Sequence, residues 1–168
     1  MSQIIIIAHN LRSCHNVGSL LRTAEGLGIK EVILSGYTPY PLAPNDTRLP
    51  HIARKLDKQI HKTALGAEQS VVWKHYHTIE EVRAYLQDEG YMLAAIEQTK
   101  DSVPLPTFLP PQKIALLVGR EVEGIEPEVL ALCSTVLEIP MFGNKESFNV
   151  VQAAAMAMYH CRFTPYKA

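Results

Sequence analysis

The sequence predicts an α/β fold, a mostly parallel sheet with helices on both faces. Short apolar runs rich in β-branched residues alternate along the chain with segments whose apolar residues recur at helical spacing. Strand-helix-strand connections of this kind place parallel strands side by side and bury both faces of the sheet. In such folds, ligands bind where a strand runs through a polar loop into the start of a helix.

Six strands and five helices are expected, in one domain over residues 1–168. The strands are predicted over residues 4–8, 31–35, 71–76, 91–97, 114–119 and 135–140. The helices are predicted over residues 17–27, 51–66, 78–89, 126–133 and 147–161. Gly28 would end the first helix, and Thr78 with Glu81 forms a capping box at the start of the third. Two proline-rich stretches, 36–50 and 101–111, read as surface loops of the same domain.

Composition indicates a soluble globular protein, with 47% hydrophobic and 20% charged residues. The isoleucine run at residues 4–7 lacks a basic flank and a cleavage site, so it is interpreted as a buried strand and not a signal peptide. No apolar run approaches the roughly 18–20 residues that a membrane span needs. The three cysteines, Cys14, Cys133 and Cys161, are widely spaced and form no disulfide framework, which suits a reducing cytoplasm.

The first of three unusual segments is residues 10–24, directly after the first strand. Asn16 is expected to cap the helix that begins near Val17. Gly18 and Ser19 would keep the first turn slim enough for an anionic group to reach the backbone amides. Taken alone, this segment is better explained as a capped helix with a surface arginine, Arg22.

The second segment, residues 117–125, carries glycines at the end of a strand and before a helix, with the spacing GxExxG. A dinucleotide-binding loop would have glycine where Glu121 stands, and its carboxylate would repel a pyrophosphate. A phosphate-binding GxxxxGK[ST] loop is missing from the sequence as well. A ligand with positive charge or hydroxyl groups suits Glu121 better, and an ordinary strand-to-helix turn is the alternative.

The third segment, residues 139–160, runs from an apolar strand through a polar hinge into an apolar helix. Ser147 is expected near the N-cap of that helix, with Asn149 two residues later. Four alanines, at positions 153, 154, 155 and 157, would let the helix pack very closely against a neighbour.

Two other chemistries are not supported by the sequence. Seven histidines include the pair His75 and His77, but there is no HExxH and no Cys-His cluster at zinc-binding spacing, so no metal site is expected. Ser147 has no GxSxG elbow around it, which argues against a serine hydrolase.

Taken in order, the three segments resemble the signature motifs of the SpoU (TrmH) family of RNA ribose methyltransferases, in the SPOUT superfamily. The first resembles NxGSxxRTAxxxG, through Asn16, Gly18, Ser19, Arg22, Thr23, Ala24 and Gly28. The second resembles GxExxG, through Gly119, Glu121 and Gly124. The third resembles IPMxGxxxSxNV, through Ile139, Pro140, Met141, Gly143, Ser147, Asn149 and Val150. The resemblance covers nearly the whole chain, which would be a minimal catalytic version without an added RNA-binding domain.

The resemblance implies a deep trefoil knot over about residues 114–161, S-adenosylmethionine as the methyl donor, and a homodimer with active sites near its interface. Sequence patterns do not predict a knot, because knots are rare in proteins. The alanine-rich last helix would fit a close-packed interface. The residues implied to line the cofactor pocket are Ile96, Gly119, Ile139, Met141, Ser147 and Phe148.

The reaction implied is methyl transfer from the cofactor sulfonium to a ribose 2′-hydroxyl of RNA. The family assigns deprotonation to the arginine of the first motif, here Arg22. A guanidinium seldom loses its proton, so Arg22 could instead grip a phosphate and stabilise the developing alkoxide. Asn16 would position the ribose or Arg22, Glu121 would hold the loop or face the cofactor's charge, and Ser147 and Asn149 would orient the catalytic groups.

An RNA substrate needs a basic surface, although the net charge is only −1. Five cations lie within fifteen residues: Arg48, Arg54, Lys55, Lys58 and Lys62. They could contact phosphates or simply form a solvated helix face. By analogy, transfer RNA is expected as the substrate ahead of ribosomal RNA.

Two positions depart from the family pattern: Phe148 replaces a usual leucine, and Val151 a common serine. We expect these two differences to affect how the substrate fits more than the catalytic step. The rival interpretations are a knotted RNA-binding protein without catalysis, a methyltransferase acting on a base or small molecule, and a nucleotide-dependent oxidoreductase. The missing GxGxxG argues against the last of these.

Overall fold

Seven parallel strands form one sheet in the computed structural model, which describes residues 1–166. In chain order they are β1 (Gln3–His9), β2 (Glu31–Ser35), β3 (Trp73–Tyr76), β4 (Met92–Ile96), β5 (Val103–Pro104), β6 (Lys113–Val118) and β7 (Thr135–Glu138). Across the sheet their order is β3-β2-β1-β6-β4-β7-β5, and every neighbouring pair is parallel. The six predicted strands are confirmed. The seventh, β5, has two residues inside a proline-rich loop and leaves no periodic signal.

Helices cover both faces of the sheet, as predicted. They are α1 (Cys14–Gly26), α2 (Pro50–Ala64), α3 (Ala67–Ser70), α4 (Ile79–Glu89), α5 (Pro127–Leu130) and α6 (Val150–Phe163), with a 3₁₀ turn over Leu105–Thr107. Helices α1, α2 and α6 share one apolar cluster with Ile4 and Ile6, whereas α4 and α5 share the other with Ile5 and Ile7. Successive strand residues point to opposite faces, so the isoleucine run supplies both cores.

Two helix starts differ from the prediction. The N-cap of α1 is Ser13, whose hydroxyl accepts a hydrogen bond from the Asn16 backbone amide at 3.2 Å, so Asn16 does not cap this helix. The last helix begins at Val150 and not at residue 147, and its cap is Asn149, whose side-chain oxygen accepts from the Val151 amide at 2.9 Å. Each of these segments holds several polar residues that suit a cap, and the sequence did not show which one takes it.

Gly18 serves helix packing, which corrects the expectation that it leaves room for a ligand. A Cβ atom at this position would overlap the Ile60 carbonyl oxygen and the Thr63 hydroxyl of α2. That hydroxyl also donates to the carbonyl oxygen of His15 at 2.9 Å. The missing side chain therefore lets α2 lie directly against the first motif.

Helix α6 returns across the sheet and packs inside its own subunit. Ala154 and Ala157 are fully buried in the cluster shared with α1, so these two alanines are not available to a second subunit. The Arg162 Nε donates to the Leu27 carbonyl oxygen at 2.9 Å, and the His160 Nε2 lies 2.8 Å from the Phe108 carbonyl oxygen. Within residues 1–166, no helix has both the length and the apolar character that crossing a membrane requires.

Substituting Gly18 with alanine tests this packing. We expect Gly18→Ala to lower the free energy of unfolding by about 1–3 kcal/mol, because the added methyl group has no space between the two helices. Gly26→Ala, in the same helix, is the matched control, since a Cβ there meets nothing within 4 Å. Chemical denaturation should show the control unchanged or stabilised by up to about 1 kcal/mol; equal stability of the two variants would contradict the packing account.

Candidate functional site

A half-open cleft lies where β4, β6 and β7 end, with the start of α6 as its further wall. Its enclosed volume is about 140 Å³, and one side is open to solvent. Its walls are residues 96–98, 118–122, Gly124, Ile139, Ser147, Phe148, Val150 and Ala153. The cleft therefore joins the second and third motifs at the carboxyl edge of the sheet.

The structure brings most of the predicted site residues to this cleft. Those that line it are Ile96, Gly119, Glu121, Ile139, Ser147 and Phe148. Asn16 reaches it indirectly, through a hydrogen bond to Glu121. Met141, Asn149 and Arg22 do not line it.

The loop after β6 explains the GxExxG spacing. Arg120 and Gly124 exchange two backbone hydrogen bonds of 3.2 Å, which fold the loop back on itself. A Cβ on Gly119 would lie 2.6 Å from the Ile125 side chain. Gly124 has a φ of +72°, and a Cβ there would also overlap the Glu97 carboxylate. Gly119 is thus required by close approach, and Gly124 by its backbone conformation.

The Glu121 carboxylate ties this loop to the start of α1. It accepts hydrogen bonds from the backbone amides of Arg12 and Ser13 at 3.1–3.3 Å and from the Asn16 side-chain amide at 3.1 Å. Partial burial alone would raise the pKa of Glu121, but the hydrogen bonds from its own backbone amide, Ser13, Arg12 and Asn16 outweigh burial and lower it. Glu121 is therefore ionised at neutral pH and holds the first and second motifs together.

Glu97, at the end of β4, was not predicted as a site residue. Its carboxylate lines the cleft and accepts from the backbone amides of Gln98 at 2.8 Å and Ile125 at 3.1 Å. Its position directly after a predicted strand was the only signal available. With Glu121 it gives the cleft two carboxylates, which favour a ligand that carries positive charge.

Arg120 is the single cation among the cleft residues in the part of the chain described. Its Nε donates to the Gly124 carbonyl oxygen at 3.4 Å and lies 3.5 Å from Glu126. The Glu126 carboxylate also accepts from the Asn10 side-chain amide at 3.1 Å, and that amide lies 3.1 Å from the ring of His9. Burial lowers the pKa of His9, so this polar chain behind the cleft contains a neutral imidazole at pH 7.

Only part of the polar hinge in the third motif contributes to the cleft. Residues 142–149 are exposed, and Ser147 and Phe148 are the only two of them that line the cleft. Asn149 caps α6 through its side-chain oxygen. The expected role of Ser147 and Asn149 in orienting catalytic groups stays a prediction.

Arg22 lies on a different surface. It lines a notch between α1 and α2 with Ser19, Thr23, Lys62 and Thr63. Six residues separate Arg22 from Asn16, about 9 Å along the helix axis. The fold of one subunit thus keeps this arginine away from the cleft.

Comparison with known proteins identifies the class to which this fold and cleft belong. A model of the SpoU rRNA Methylase family matches residues 3–159. The tRNA (guanosine(18)-2′-O)-methyltransferase of Escherichia coli K12 is 28% identical over 148 residues, which cover 88% of this chain and 58% of that protein. The 23S rRNA (guanosine-2′-O-)-methyltransferase RlmB of Neisseria meningitidis is 26% identical over 159 residues, with 95% and 58% covered.

A solved structure shows the same fold. The SpoU methyltransferase AviRb from Streptomyces viridochromogenes, in complex with the cofactor AdoMet, superposes with a TM-score of 0.79 at 21% identity, covering 96% of this chain and 58% of that one. The chain belongs to the SpoU rRNA Methylase family. It spans about 58% of the length of the two curated relatives.

Replacing the Glu121 carboxylate by an amide tests its structural role. We expect Glu121→Gln to lower the free energy of unfolding at pH 7 by about 1 kcal/mol, because charge-assisted hydrogen bonds are lost. A lowered pKa in the folded state means that this stabilisation is present above the unfolded-state pKa, and is lost as pH falls through the folded-state value. Denaturation at a series of pH values should therefore show the difference from wild type shrinking below about pH 4.

Glu123→Gln is the matched control for Glu121→Gln. Glu123 lies in the same loop, but its ion pair with Arg12 is exposed and contributes little. An equal loss in both variants, or a Glu121→Gln deficit that persists at acidic pH, would contradict the role of the Glu121 carboxylate.

Proposed function

We propose that the protein transfers the methyl group of S-adenosylmethionine to a ribose 2′-hydroxyl of RNA. The observation that carries this proposal is the cleft that joins the second and third motifs in a member of the SpoU family. The curated relatives are named as RNA 2′-O-methyltransferases, and a structural neighbour was solved with AdoMet.

Backbone groups and small side chains would hold the cofactor. Ile96, Gly119, Ile139 and Phe148 line the cleft, and their main-chain amides and carbonyls would recognise an adenine edge. Ser147 adds a hydroxyl, and Met141, which does not line the cleft in this structure, would complete the set. The carboxylates of Glu97 and Glu121 complement the positive charges of the cofactor's sulfonium and amino groups.

The chemistry requires little from the side chains beyond alignment and control of a proton. Methyl transfer would form the C–O bond as the methyl–sulfur bond breaks, with its electron pair left on sulfur. The hydroxyl proton would pass to an RNA phosphate oxygen or to water. Arg22 would grip a phosphate and stabilise the developing alkoxide. A guanidinium is a poor general base, so this role suits Arg22 better than that of a base. Asn16, which is held by Glu121, would fix the helix that carries Arg22.

In a homodimer, Arg22 of one subunit could lie at the cleft of the other subunit. The fold of a single subunit keeps Arg22 away from its own cleft. Helix α6 exposes Tyr159 and Phe163, at 60% and 62%, with ring centroids 4.6 Å apart. Phe142, beside the cleft, is 99% exposed. We expect these apolar groups, and not the buried alanines, to lie at the subunit interface. Sedimentation equilibrium that shows only monomers would contradict this assembly.

The proposed trefoil knot rests on the path of the chain after β6. Strand β7 pairs with β4, and α6 then returns between α1 and the segment at Leu105–Phe108. Threading of residues 139–166 through the loop that leads into β6 would form the knot. An electron-density trace that passes outside this loop would contradict it.

Residues 1–168, of which the structure describes 1–166, would form one SPOUT methyltransferase domain in the cytoplasm. Transfer RNA remains the expected substrate and ribosomal RNA the second choice. Both classes are named among the relatives.

Methylation of total cellular RNA with labelled S-adenosylmethionine, followed by nucleoside analysis, tests the proposed reaction. Wild type should place label in a 2′-O-methylated nucleoside. Arg22→Ala should lower the rate by at least about 100-fold and leave cofactor binding unchanged, because Arg22 would contact an RNA phosphate and not the cofactor.

Arg83→Ala is the control, since Arg83 is exposed on α4 across the sheet. Label in a methylated base would favour the base-modifying alternative. RNA and cofactor binding without any transfer would favour an RNA-binding protein, and failure to bind the cofactor would overturn the methyltransferase proposal.

A further inference from the structure

Helix α2 carries a stripe of cations on its exposed side. Arg54, Lys58 and Lys62 follow one another at intervals of four residues, so they lie on one helix face about 6 Å apart along the axis. Lys55 lies beside them, and all four side chains are exposed. We call Arg54, Lys58 and Lys62 the α2 stripe.

The cations of the α2 stripe are not paired in the part of the chain that the structure describes, where none of them takes part in a salt bridge. The one acidic residue of α2, Asp57, accepts a hydrogen bond from the Leu42 amide. Like charges spaced four residues apart destabilise a helix, and helix stability therefore gives no reason for this arrangement. The favourable effect of a cation near a helix C-terminus could account for Lys62 but not for Arg54 or Lys58.

Arg48, the fifth cation of the predicted basic cluster, does not belong to this surface. Its guanidinium is paired with Asp46, bonded to the carbonyl oxygens of Tyr40 and Pro41, and stacked 3.5 Å from the Tyr40 ring centroid. It holds the loop before α2 in place, and its donors are already used within the protein.

The α2 stripe leads directly to Arg22. The close contact at Gly18 seats the second half of α2 on α1, and the Thr63 hydroxyl fixes it to the His15 carbonyl. As a result, Lys62 and Arg22 line the same notch. Two exposed cations beside the Ser19 hydroxyl make a site suited to a phosphate group.

We propose that the sugar-phosphate backbone of the RNA substrate lies along α2, with successive phosphates at Arg54, Lys58 and Lys62. The contact at Lys62 places the next phosphate at Arg22. The inference rests on the proposed function and adds the path of the RNA strand, along α2 towards Arg22. Lys62 is a positioning residue that lies outside all three motifs. The contacts are to phosphates and not to bases, so they set the register of the strand without selecting its sequence.

Charge reversal on two faces of the protein tests this path. Binding of an end-labelled mixed tRNA pool is measured by fluorescence anisotropy at several salt concentrations. Lys58→Glu should weaken binding at least about tenfold and reduce the salt dependence of affinity by about one phosphate contact or more. Arg83→Glu makes the same change in net charge on the opposite face of the sheet and should bind within about twofold of wild type. Equal weakening of both variants, or of neither, would overturn the inference.

A kinetic readout separates positioning from folding. Lys62→Ala should raise KM for RNA severalfold with a smaller change in kcat. Calorimetry should show that Lys58→Glu and Lys62→Ala both bind the cofactor with the affinity of wild type. Unchanged KM would contradict the role of Lys62. If wild type itself neither binds tRNA nor transfers a methyl group, the proposed function fails; if wild type is active and Lys58→Glu equally so, only the RNA path fails.

Discussion

The hydrogen bonds to the Glu121 carboxylate hold together two parts of the chain that lie more than one hundred residues apart. Its oxygens accept hydrogen bonds from the backbone amides of Arg12 and Ser13 and from the side-chain amide of Asn16. A carboxylate at this place also carries negative charge to the N-terminus of α1, where the helix dipole favours it. The Glu121 carboxylate therefore holds both the loop after β6, which is a wall of the cleft, and the start of α1.

Close approach at glycines determines the geometry around that contact. Gly119 and Gly124 let the loop after β6 fold against Ile125 and the Glu97 carboxylate. Gly18 lets α2 lie on α1, which places Lys62 beside Arg22. The motifs therefore combine two kinds of residue: glycines that bring backbones together, and polar groups that the resulting contacts hold in position.

Much of the fold could be predicted from the sequence because its signals are local. The isoleucine run, the capping box at Thr78 and the helical spacing of α1 depend on neighbouring residues only. The order of strands across the sheet could not be read in this way, since pairing of β4 with both β6 and β7 joins residues far apart in sequence. The two-residue strand β5 has no period to detect.

The candidate site was predicted in part. Five of the six residues expected to line a cofactor pocket do line the cleft, because strand ends and glycines mark a sheet's carboxyl edge. Ser13, and not Asn16, caps α1, and the space expected beside Gly18 is filled by α2, which only the tertiary fold brings there. Glu97 was missed for the same reason: its hydrogen bond to Ile125 exists only after folding.

The claim that the strand-end cleft binds S-adenosylmethionine can be tested most directly by titrating the cofactor into ¹⁵N-labelled protein and following backbone amide shifts. The account predicts saturable shifts at Gly119, Ile139 and Phe148, and little change along β3 on the far edge of the sheet. Shifts at another surface, with those three amides unchanged at saturation, would contradict it.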